Sequence, residues 1–173
     1  MKIYIDFDGV ILNTTPHIFD EWLDNNDDIN IKELEKIEYI KGRNWHKILR
    51  EASVIDDAIS VLKDMDIKNT AILTKVHSLE NEGTEKIRFL RENGVKLDVV
   101  LVPYPLKKTD VVEASGNILI DDTVHNLDDW NKCGGECIFF NQNDFDVDEW
   151  HSLNLKYPKI KTLKNINTFI KKR

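Results

Sequence analysis

Cysteine is nearly absent. Of 173 residues only Cys133 and Cys137 are cysteine, in "CGGEC", and no second pair exists to complete a four-ligand zinc site. A disulfide framework is therefore not expected, and the two thiols are read as reduced. No apolar run approaches the roughly 18 residues of a membrane span. The first residues enter an apolar strand at once, with no leader-like stretch. A cytoplasmic location with no membrane partner is the expectation. Glycine and proline are also sparse, at seven and four, and no segment is low in complexity or repeated. With 41% hydrophobic and 32% charged residues, the composition is that of a globular domain with a real core.

The net charge of −7 is unevenly spread. Residues 150–173 hold seven Lys or Arg and no acid, so the first 149 residues carry −14. A basic tail suggests nucleic acid. Here Ile160, Leu163, Ile166, Phe169 and Ile170 recur at near-helical spacing, and the lysines read as the solvated side of a helix that buries its other face. The acidic remainder argues against a nucleic acid polymer as partner.

Short Ile/Leu/Val runs alternate with helical patterns. Strands are predicted at Lys2–Phe7, Thr70–Thr74, Val99–Val102, Asn117–Ile120 and Glu136–Phe140, and helices at Ile55–Met65, Leu79–Asn93, Thr109–Ala114 and Thr123–Cys133. The strands show little polar alternation, as strands buried on both faces do. The expected fold is α/β, a three-layer Rossmann-like parallel sheet. Residues 16–53 break the rhythm and are too long for a loop. They are read as a small helical cap inserted after strand 1, leaving 1–15 and 54–173 as the core domain.

In a parallel sheet of this kind, ligands bind beyond the carboxyl ends of the strands. Those ends carry a pattern. Asp6 and Asp8 follow the first run in "IYIDFDGV", Thr74 ends "TAILT", Lys107 and Lys108 follow "VVLVPYPL", and Asp121 and Asp122 end "NILIDD". A lone strand-end Asp is more often a turn former or helix cap. Four carboxylates at one sheet edge repel one another and need a cation, and Mg²⁺ takes oxygen ligands. With a hydroxyl and a lysine beside them, the chemistry that fits is phosphoryl transfer to an Asp nucleophile, assisted by a second Asp as acid and base.

These motifs resemble the haloacid-dehalogenase (HAD) superfamily: "DFDGV" its first motif, "ILT" its second, the loop lysine its third and "ILIDD" its fourth. "DFDGVILNT" together with "ILIDDTVHNLDDWNKCGGECIFF" is further similar to the 5′(3′)-deoxyribonucleotidase group. The resemblance implies a Mg²⁺-dependent phosphatase acting on (deoxy)nucleoside monophosphates, with an aspartyl-phosphate intermediate. It implies Asp6 as nucleophile and metal ligand, and Asp8 as general acid/base and metal ligand through its carbonyl. Thr74 and Lys108 would bind phosphate, with Lys107 left open as the alternative lysine. Asp122 would be a direct metal ligand, with Asp121 acting nearby.

Other residues have plainer readings. Trp22 with Ile18, Phe19 and Leu23, and Trp45 with Ile48 and Leu49, read as cap core before base-stacking platforms. His17, His46, His77, His125 and His151 form no ligand motif, and only His17 and His46 are expected to face a substrate, because they lie in the cap. Three alternatives stay open at this level. One is a phosphatase for a sugar phosphate or other small ester, and another is a non-catalytic phosphate-binding module. The third, a phosphoacceptor switch, fits poorly, because the second acidic group comes after the lysine.

Overall fold

The computed structural model describes residues 1–19, 33–142 and 157–166. Trp22, Leu23, the acidic stretch 24–30, His151 and the residues after 166, including Phe169 and Ile170, lie outside the described residues.

Six strands form one parallel sheet: β1 (Ile3–Ile5), β2 (Thr70–Val76), β3 (Asp98–Pro103), β4 (Ile118–Asp121), β5 (Glu136–Phe140) and β6 (Lys159–Ile160). Their order is β3-β2-β1-β4-β5-β6. Ile5 in the centre pairs with Ile72 on one side and Ile120 on the other. Alternate strand residues feed two separate cores. Ile5, Ile72, Ile120 and Ile138 pack with Leu62 of α3 (Ala58–Asp64) and Leu90 of α4 (Thr84–Glu92). Tyr4, Leu73, Leu119 and Phe139 pack with Leu127 and Trp130 of α6 (Val124–Lys132). Helices on both faces explain why these strands read as unbroken apolar runs.

The chain leaves the core just after β1 and returns through a narrow stalk. Leu12 and Val54 form an antiparallel bridge, the Asn13 amide donates to Ser53 O at 3.0 Å, and the Ile55 amide donates to Ile11 O at 2.9 Å. Beyond the stalk, residues 15–19 are helical, followed by α1 (Glu33–Gly42) and α2 (Trp45–Glu51). Asn44 caps α2 by accepting from the Lys47 amide. Trp45 is buried, its indole N–H donates to Ile40 O at 3.0 Å, and with Ile48 and Leu49 it joins the core cluster of Ile5, Phe7 and Leu90, so it packs between the insert and the sheet domain.

Three elements differ from the sequence reading. The segment read as one helix over Leu79–Asn93 is a π-helical turn, Leu79–Gly83, followed by α4. The Gly83 amide bonds Ser78 O, and Ser78 Oγ accepts from the Asn81 amide, so the first turn closes wide. The helix read as Thr109–Ala114 is only α5 (Lys108–Val111), because Val112 turns extended. Ile160, read as helical, lies in β6 beside Phe140. Pro158 precedes it, and an edge strand tolerates the missing donor.

Candidate active site

The strand order reverses between β1 and β4, the one place where neighbouring crossovers leave in opposite directions. Asp6 follows β1 and Asp121 ends β4, so both stand at this switch point. The Asp6 amide bonds Ile120 O at 2.9 Å, which fixes the two chain ends together. Asp6, Asp121 and Asp122 bring carboxylate oxygens within 4.8 Å of one another.

Lys108 reaches into this cluster. Its Nζ donates to Asp6 Oδ1 at 2.7 Å and to Asp121 Oδ2 at 2.5 Å. Lys107 points elsewhere, to Asp129 at 3.1 Å. Burial disfavours the charge of Lys108, but Asp121 and Asp6 outweigh it and raise its pKa above the ordinary lysine value. Asp121 is saturated: besides Lys108 it accepts from the Thr123 amide at 2.8 Å and from Asn126 Nδ2 at 3.1 Å. Asp122 is not. It accepts a 3.3 Å contact from the Thr123 hydroxyl.

One lysine does not neutralise the cluster. Burial pushes the Asp6 carboxyl up to about 7, with Asp121 and Asp8 adding repulsion and Lys108 opposing it. Burial and the same neighbours push Asp122 up to about 8. Lys108 thus offsets only part of the burial and mutual repulsion of these carboxyls. The donor set is all oxygen, which suits a hard divalent cation of the Mg²⁺ type. Asp6, Asp122 and Asp121 are the residues that fit such an ion.

Gly9 makes room for Asp122. Its φ is +71°, and a Cβ there would overlap the Asp122 carboxylate. Gly9→Ala is expected to lose nearly all activity by displacing that carboxylate. Cation binding should weaken in parallel, read by the shift in unfolding temperature that Mg²⁺ produces. Unchanged cation binding in this variant would show that Asp122 takes no part in it.

Asp8 sits on the other side of the first loop, tied at both oxygens. Thr14 Oγ donates to Oδ1 at 2.7 Å and Lys86 Nζ to Oδ2 at 2.5 Å. Lys86 also donates to Thr74 Oγ, Lys75 O and Glu82. Thr74 is fully buried, and its strand runs on to Val76, two residues beyond the predicted end.

A cleft of about 370 Å³ opens between this edge and the insert. Asp6, Asp8 and Asp122 line it, with Ile18, Phe19, Lys36 and Ile40 from the insert side. Thr74, Lys108 and Asp121 are buried and do not line it. The histidines in the cleft wall are His77 and His125, not the expected His17 and His46. His46 instead meets Glu85 on the outer surface at 3.0 Å. Cap membership was the wrong guide, because strand ends and the helix after β4 supply the wall.

Lys86 and Glu82 were not singled out by sequence. Their i,i+4 spacing looks like an ordinary surface pair on a helix. The π turn rotates Glu82 inward, and both side chains are buried.

Solved structures share this architecture. A haloacid dehalogenase-like family hydrolase from Streptococcus pneumoniae matches with a TM-score of 0.66 at 13% identity, covering 97% of each chain. The fold is that of the HAD-like hydrolases. A β-phosphoglucomutase from Clostridium difficile matches at 0.63 and 15% identity, over 99% of this chain and 95% of its own. A D,D-heptose 1,7-bisphosphate phosphatase from Burkholderia thailandensis matches at 0.57 and 9%, over the whole of both chains. No protein-family model and no curated protein matches the sequence. The HAD-like fold is thus established by shape. Among the described residues no helix is long and apolar enough to cross a membrane.

Proposed function

We propose that the chain hydrolyses small phosphate monoesters through an aspartyl-phosphate on Asp6. The observation that carries this reading is the meeting of Asp6 with Asp121, Asp122 and Lys108 at the switch point, open to a cleft. An oxygen of Asp6 attacks phosphorus, the bond to the leaving oxygen breaks, and Asp8, which enters the cycle as the carboxylic acid, gives that oxygen its proton. Water then attacks the phosphorus of the acyl phosphate while Asp8 takes a proton from it. Inorganic phosphate leaves and Asp6 is restored. Lys108 steadies Asp6 and offsets the charge of the transferring group, and Thr74 orders the floor beneath it. Mg²⁺, held by Asp6, Asp122 and the Asp8 carbonyl, would supply the remaining charge neutralisation.

Nucleoside monophosphates are the substrates proposed first, on the similarity of "DFDGVILNT" and "ILIDDTVHNLDDWNKCGG" to the deoxyribonucleotidase group. Within the second segment, Asp122, Thr123, His125 and Asn126 line the cleft, while Leu127 and Trp130 belong to the core. The segment therefore speaks for the phosphate end of the substrate more than for the base. A sugar phosphate is the second reading, favoured by the cleft, which is near the small end of the roughly 300–1,000 Å³ range of ligand pockets. Phe19, under the Lys36 ammonium at 5.0 Å, and the edge of the largely buried Trp45 are the phenyl and indole groups of the wall.

Base discrimination should be weak in such a site. The expected result is hydrolysis of several (deoxy)nucleoside monophosphates with similar kcat/KM and little on di- or triphosphates. The comparison is dTMP, dUMP, dGMP and their ribose counterparts against ribose 5-phosphate and glucose 6-phosphate. A tenfold preference for a sugar phosphate, about 1.4 kcal/mol of transition-state stabilisation, would replace the nucleotidase reading with the second one.

A further inference from the structure

We propose that Lys86 is a positioning residue for Asp8, clamped by Glu82 so that the Asp8 carboxyl meets the leaving oxygen of the substrate. This rests on the phosphatase reading and adds a part to it.

The geometry is that of a clamp. Lys86 has no solvent exposure, and its ammonium lies 5.4 Å from the Phe7 ring centre and 5.2 Å from that of Trp45. Its hydrogen bonds all go to oxygen: Asp8 at 2.5 Å, Glu82 at 2.7 Å, Thr74 and Lys75 O at 3.2 Å. Glu82 is 2% exposed and is itself held by the His77 amide at 2.7 Å. The ammonium therefore has no freedom to withdraw. With Thr14 on the other oxygen, both rotation and tilt of the Asp8 carboxylate are fixed.

Stability alone is a weak reason for this arrangement. A buried ion pair replaced by apolar groups of similar volume is often neutral or stabilising. The rings of Phe7 and Trp45 would suit an apolar side chain at position 86. Of the groups that Lys86 holds, Asp8, Glu82 and Lys75 border the cleft, and Asp8 is the carboxylate that is open to it. Asp8 is 28% exposed at its side chain while Lys86 and Glu82 are sealed. Of the three charged side chains in the network, only that of Asp8 is open to the cleft. General acid catalysis needs its donor within hydrogen-bond reach of the leaving oxygen, and a carboxylate on a turn after a three-residue strand needs outside support to hold that position.

The test separates positioning of the acid from binding of phosphate. The kcat/KM of Lys86→Met is measured on glycerol 1-phosphate, whose alkoxide needs a proton to leave, and on p-nitrophenyl phosphate, whose phenolate leaves without one. Glycerol phosphate turnover should fall on the order of 10²-fold and p-nitrophenyl phosphate turnover by no more than about threefold. Because Lys86→Met strands the buried Glu82 charge, Lys86→Met with Glu82→Gln is run beside it and carries the same expectation if the single variant does not fold. An equal loss on both esters, or no loss on either, overturns the proposal. If the unmodified protein with Mg²⁺ hydrolyses neither ester, the phosphatase reading itself falls, and the clamp with it.

Discussion

Asp6→Asn is expected to abolish turnover and leave the fold intact. The amide has the shape of the carboxylate, and its oxygen can still accept from Lys108. What it cannot do is attack phosphorus. Loss of a nucleophile in a concerted catalytic group lowers kcat by roughly 10⁴–10⁶-fold. The unfolding temperature of the metal-free variant should rise, because a carboxyl that burial and Asp121 burden is gone. Asp8→Asn should be slower by about 10²–10⁴-fold, with the fold again intact. Trapping in acid during turnover should give a phosphorylated protein from the unmodified chain and none from Asp6→Asn. Near-normal kcat in Asp6→Asn would remove Asp6 from the chemistry.

Removal of divalent cations should also silence the protein. EDTA is expected to abolish phosphate release and Mg²⁺ to restore it. Ca²⁺ should occupy the site and support little turnover, because its larger and looser shell sets the reacting oxygens at the wrong distance. A second readout is independent of catalysis. Mg²⁺ should raise the unfolding temperature, since it binds a folded cluster whose Asp6 and Asp122 carboxyls burial and mutual repulsion push up to about 7 and 8. Asp122→Asn should erase most of that shift. Full activity after rigorous chelation would exclude a metal-assisted mechanism.

The parallel sheet was readable because burial on both faces writes unbroken apolar runs, as in "TAIL" and "NILI". The residues that end those runs could be placed at one edge for the same reason. The strand order that brings Asp6 beside Asp121 was not legible in the sequence, because apolar runs do not say which strand lies next to which. Less visible were features set by a single local competition. Ser78 and Glu82 capture backbone amides and open the first helical turn, and no periodicity records that. Ile160 has the spacing of a helix residue, but the free edge of β5 takes it as a strand. Lys86 is charged, so hydropathy places it outside. Only two carboxylates converging on it from separate segments make its burial tolerable. Such residues are hidden from pattern reading because their environment is assembled by distant parts of the chain.

The stalk below the insert has a bearing on how this protein could change over time. Asn13 and Ser53 are within one hydrogen bond of each other, and Leu12 faces Val54. The core thus sees the intervening 39 residues as a single closed loop whose ends already touch. Lengthening such a loop costs little, about 0.6 kcal/mol for each doubling of its length by chain entropy alone. A differently sized insert can therefore be grafted between Thr14 and Ser53 without disturbing β1, provided that Thr14 keeps its hydroxyl on Asp8 and an apolar group replaces Trp45 over Lys86. The wall that meets the rest of the substrate can thus vary while Thr14, at the root of the insert, is kept for the chemistry, so a chain with this architecture can exchange one substrate for another at few positions.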